Sequence, residues 1–132
     1  HQTFEVYSPE NRRIRSKTSK VFSEEYMDLI KNLQDHVGSR PEKFFKETLF
    51  RGDALLLGLN CLEPGQVQKP HDHTDQDKFY YVVEGEGQFW LGEEQHVAGS
   101  GQVVWAPAGV IHGVENKGTT RLTLLVGIAP AP

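Results

Sequence analysis

The spacing of apolar positions changes once along this chain, close to residue 47. Before it, Tyr26, Leu29, Ile30, Leu33 and Val37 recur at helical spacing. Ser23 stands where a cap belongs, Glu24 and Glu25 suit the positive end of a helix dipole, and Gly38 and Pro41 stop the pattern. A helix over 23–37 is the expectation, with a short strand at Thr3–Tyr7 ahead of it. After residue 47 the apolar residues come in short runs punctuated by Gly and Pro. Strands are expected at Ala54–Leu59, Phe79–Val83, Gln88–Leu91, Gln102–Trp105, His112–Glu115 and Thr119–Ile128. No helix-length periodic segment follows, so a parallel sheet with helical crossovers is improbable. The pattern implies an N-terminal arm over 1–47, with its helix packed outside a mostly antiparallel all-β barrel or sandwich over 48–132.

Length and composition narrow the class. A chain of 132 residues has room for one core and not for two. Nowhere do 18 apolar residues run together, which argues against a membrane span. No basic stretch followed by an apolar region opens the chain, and the single cysteine, Cys61, permits no internal disulfide; together they point to a cytoplasmic protein. Formal net charge is −4, with nine Lys/Arg against seven Asp/Glu in residues 1–46 and five against eleven beyond. The basic run Arg12, Arg13, Arg15, Lys17 and Lys20 is short and lacks interleaved aromatics, so nucleic acid is not an expected partner.

The histidines carry the chemistry. His71 and His73 are one residue apart, so on an extended segment both imidazoles face the same way. His112 opens a later strand, after Pro107 and Gly109. Neutral imidazoles in such a group suit a divalent ion, with Fe, Mn, Zn, Ni and Cu all admissible. Two unrelated hydrogen-bonded histidines are the plainer alternative.

Two motifs then give a resemblance. The first reads Gly65, five residues, His71-Asp72-His73, four residues, Lys78, six residues, Gly85; the second reads Gly101, five residues, Pro107-Ala108-Gly109, two residues, His112, three residues, Asn116. In order and spacing they resemble the two motifs of the cupin family, over roughly residues 48–128 with the flanking strands. The resemblance implies a double-stranded β-helix, or jelly-roll barrel, with His71, His73 and His112 as metal ligands inside it. It also favours a homodimer, as do an apolar arm and exposed strand edges.

One position departs from that pattern. Lys78 stands where the family's acidic ligand is expected, and a protonated lysine has no lone pair for a metal. Asp77 would serve if a one-residue bulge before Phe79 turned it inward. Gln76, a water molecule, or a metal-free pocket are the other outcomes. An inward Lys78 would instead fix a substrate carboxylate or enolate. Tyr80 shares its parity and would be a proton donor if that set lines the pocket, although core packing is the commoner role for such a tyrosine.

Open coordination positions on Fe or Mn favour a dioxygenase acting on a small carboxylate or phenolic compound. A non-catalytic small-molecule binding or sensing domain is the second expectation, and an isomerase, decarboxylase or lyase the third. His96 is expected at the surface, Asp28, Asp35 and His36 on the solvent side of the helix, and Cys61 buried.

Overall fold

The computed structural model describes residues 29–72 and 74–132. Residues 33–132 form one compact unit, and 29–32 belong to a separate one. Nine strands follow in order: β1 (Phe45–Arg51), β2 (Leu56–Leu62), β3 (Val67–His71), β4 (Asp77–Glu84), β5 (Glu86–Leu91), β6 (Glu94–Gly99), β7 (Val103–Ala106), β8 (His112–Glu115) and β9 (Leu122–Ala129). They make two antiparallel sheets, ordered β1-β2-β9-β4-β7 and β3-β8-β5-β6. All-β architecture is therefore as expected from the punctuated apolar runs.

The core lies where the inner faces of the two sheets meet. Tyr80, Val82, Val104, Leu122, Leu124 and Val126 come from the first sheet, and Phe89, Ala98 and Val114 from the second. Alternation explains β4 and β7 directly, because every second residue is buried. In β2 the run Gly58–Leu62 is buried on both faces. The outer face of β1 and β2 is covered by the segment before β1. There His36 is paired with Glu47, the Gly38 backbone bonds the Cys61 thiol, and the Arg40 carbonyl accepts from the Gln66 amide.

That segment corrects the expected 23–37 helix. Over 29–37 the chain makes bends and one 3₁₀ turn at Leu33–Asp35, and no α-helix. Residues 23–28, the Thr3–Tyr7 strand, Asp28 and the basic run lie outside the described residues. The physical reason is that a short helix is marginal unless its apolar face is buried, whereas here the chain is held by hydrogen bonds to the sheet. His36 is accordingly not a solvent-facing helix residue but a partner of β1. Strands β3 and β6 also form without having been anticipated, as does β1, which starts at Phe45.

Asn116, the last residue of the second motif, is fully buried and ties the end of β2 to the β8–β9 connection. Its amide donates to the carbonyls of Leu62 (2.8 Å) and Thr120 (2.9 Å), and its carbonyl oxygen accepts from the Gly118 N–H (2.9 Å). Gly85 sits at φ 86°, and a Cβ there would stand 2.4 Å from the Arg121 carbonyl oxygen, so the β4–β5 turn needs glycine. Replacing Asn116 with Ala should leave those backbone groups buried without partners and lower unfolding free energy by about 2–4 kcal/mol. A shift of the urea midpoint at unchanged slope is the expected signature.

Candidate metal and carboxylate site

His71 and His112 are direct cross-strand partners on β3 and β8. Their ring centroids lie 4.6 Å apart with the planes tilted by 60°. His112 is 1% exposed, while His71 is half-buried. Each ring has its Nδ1 on a backbone carbonyl two residues earlier: His71 on Lys69 (2.8 Å) and His112 on Val110 (3.0 Å). A carbonyl only accepts, so in both rings Nδ1 carries the proton. With Nδ1 so engaged, a metal ion would be taken by either ring through Nε2.

A register irregularity in β3 makes this pairing possible. Gln68 pairs with Val114 and His71 with His112, so three residues of β3 span two of β8. The shift changes parity: buried Gln68 and half-buried His71 both turn inward, with Lys69 and Pro70 exposed between them. Gly113 is the necessary partner, since a Cβ there would lie 2.7 Å from the Gln68 carbonyl oxygen and 2.8 Å from the Pro70 nitrogen. His73 lies outside the described residues. Among the described residues no group of three His, Cys, Asp or Glu side chains assembles as a metal site.

On the facing sheet, β4 runs in unbroken register against β9 from Asp77 to Val82 and against β7 from Lys78 to Tyr81. The bulge before Phe79 that would turn Asp77 inward is absent; the irregularity falls at Val82/Glu84. Asp77 faces out and accepts a hydrogen bond from the Ala108 N–H (2.9 Å), holding the Pro107–Gly109 turn. Gln76 donates to the Pro130 carbonyl (3.0 Å). Lys78 takes the inward position instead and is only 4% exposed.

Lys78 Nζ sits 4.6 Å from the centroid of the Tyr80 ring, whose other neighbours are Phe89 at 5.2 Å and His112 at 6.2 Å. Lysine and imidazole thus share one aromatic wall. The Tyr80 hydroxyl proton is committed within the interior, where it is donated to Gln68 Oε1. Burial pushes its phenol well above the usual range. Gln68 escaped the sequence reading because its inward direction depends on the register shift in β3. Cys61 is buried as expected, with its thiol pushed up by burial, and His96 is exposed beside Glu94.

Comparison with known proteins bears on the fold. The cupin domain model matches residues 58–128, and the chain belongs to the cupin family. The crystal structure of TT1209 from Thermus thermophilus is 42% identical, superposes with a TM-score of 0.76, and is matched over 78% of this chain and 98% of that one. An oxalate-binding protein of Thermotoga maritima is 33% identical over 75 residues, which is 57% of this chain and 62% of that protein. An uncharacterised protein of Streptomyces coelicolor is 41% identical over 60 residues, 44% of this chain and 54% of its own length. The chain thus matches less than two thirds of each of these two curated relatives. Among the described residues no helix is long and apolar enough to cross a membrane.

Burial lowers the Lys78 pKa from 10.5 to about 8, with the charge of Lys46 acting in the same direction. Between these values the unfolded chain holds a proton that the folded chain releases, so stability rises with pH through that window. Below pH 8 the full cost of the buried charge is present, about 3 kcal/mol. In metal-free protein, Lys78→Met should therefore raise stability at pH 7 by about 2–3 kcal/mol. The advantage should shrink as pH rises from 8 towards 10.5, which paired denaturation curves of parent and variant will show.

Proposed function

We propose that this cupin binds a divalent metal ion and, at that ion, a small carboxylate. The observation that carries the reading is the pair His71 and His112, brought into cross-strand contact with both Nδ1 protons committed to carbonyls. His73, one residue beyond Asp72 in the first motif, is proposed as the third ligand on the strength of that spacing. Asp77 and Gln76 are not part of the proposed shell, since their side chains are engaged by Ala108 and Pro130.

The donor set fits Fe or Mn, and also Zn, Ni or Cu, because neutral imidazole suits all of them. When bound, the ion would supply Lewis acidity for a carboxylate and, if it is Fe or Mn, redox capacity for oxidative cleavage. The chain's own contribution is positional. Lys78 presents an ammonium in a low-dielectric interior, where its attraction for an anion is stronger than in water. Tyr80, anchored by Gln68, holds the wall between Lys78 and His112. The oxalate-binding protein of Thermotoga maritima supports a small-acid ligand class.

A homodimer is proposed on separate grounds. On the outer face of β4 and β7, Trp105 (55% exposed) pairs with Phe79, and Val103 (64% exposed) pairs with Tyr81. Such an apolar surface on an edge strand invites cover by a second copy.

Protein purified without added metal should contain about one transition-metal ion per chain by mass spectrometry, the stoichiometry of a single site. His112→Ala, and separately His73→Ala, should lose it while circular dichroism keeps the β signature. Metal retained in both variants would rule out the site. Turnover of small acids and phenols under air but not under nitrogen would assign the dioxygenase reaction; ligand binding without turnover in either atmosphere would assign a binding module. Light scattering should report a particle near twice 14.9 kDa, and Trp105→Glu should halve it.

A further inference from the structure

The charge balance of the interior points beyond simple coexistence of metal and acid. Among the described residues the buried polar side chains are Asn60, Gln68, Lys78, His112, Asn116 and Thr123, and none is a carboxylate. No ion pair among the described residues includes Lys78. Glu84, at the far end of the same strand, is committed to Thr123 and Arg121. A divalent ion on the imidazoles would thus share an interior with an ammonium and with no described anion to offset either.

We infer that metal and small dicarboxylate are mutually dependent ligands of this site, the dicarboxylate supplying the negative charge that Lys78 puts in place of an acidic side chain. The inference rests on the metal-and-carboxylate reading above and deepens it. Alone, the ion meets the repulsion of Lys78; alone, the anion meets one ammonium and neutral rings. Together each relieves the cost of the other. Linkage requires the effect to be reciprocal, so the acid must tighten the metal by the same factor as the metal tightens the acid.

The test uses the full chain stripped of metal, with Mn²⁺ affinity measured by equilibrium dialysis in the presence of oxalate or of chloride at equal ionic strength. Oxalate should tighten Mn²⁺ about tenfold or more, within the range usual for coupled sites. Because oxalate also chelates Mn²⁺ in free solution, that background works against the expected sign. In Lys78→Gln the ion alone should bind more tightly than in the parent, and the oxalate effect should shrink at least about fivefold. Lys78→Glu should bind Mn²⁺ without oxalate and gain nothing from it. Circular dichroism melts check the fold of both variants; removal of the buried charge should not weaken Lys78→Gln, and bound Mn²⁺ should raise the melting temperature of Lys78→Glu. Mn²⁺ binding in the parent that oxalate leaves unchanged, or an oxalate effect undiminished in Lys78→Gln, overturns the coupling and leaves the metal site standing. Absence of Mn²⁺ binding with and without oxalate overturns the metal reading, and the coupling with it.

Discussion

β4 is hydrogen-bonded along both edges, to β9 and to β7, and its register is unbroken from Asp77 to Val82. The inward placement of Lys78 follows from that ladder. Strand residues alternate faces without exception while the ladder is regular, so Tyr80 and Val82 cannot be buried unless Lys78 is buried too. The ladder therefore carries the Lys78 ammonium inside together with Tyr80 and Val82.

The opposite sheet solves a different problem by the opposite means. There β3 breaks its alternation between Gln68 and His71, and Gly113 on β8 leaves room for the displaced backbone. One irregularity therefore delivers two inward groups: Gln68, which fixes Tyr80, and His71, which meets His112. A regular ladder on one side and a bulged one on the other set lysine and imidazole around the same tyrosine ring. Bulges beside binding sites re-aim side chains in this way.

Membership of the cupin family accounts for the two sheets, and the buried Lys78 gives this member its own interior electrostatics. Among the described residues that interior holds a buried lysine and no buried carboxylate.

The order and spacing of Gly65, His71, Lys78 and Gly85, and of Gly101, Pro107, His112 and Asn116, were enough to specify a cupin barrel from the sequence. They also singled out His71 and His112, because a strand's two-residue period and its turn residues are local properties. Alternation likewise grouped Lys78 with Tyr80 and Val82, yet it could not say which face of β4 is the inner one. That choice, like the outward fate of Asp77, was made by pairing with β7 and β9, strands distant in the chain. The expected helix up to Val37 failed over its described part for the same reason. Its spacing is compatible with a helix, but hydrogen bonds to β1 and β2 hold the segment in another form. Gln68 was illegible because a bulge inverts parity, and nothing in Val67-Gln68-Lys69-Pro70 announces one. Local periodicity fixes which residues share a face; only the tertiary ladder decides which face meets the core.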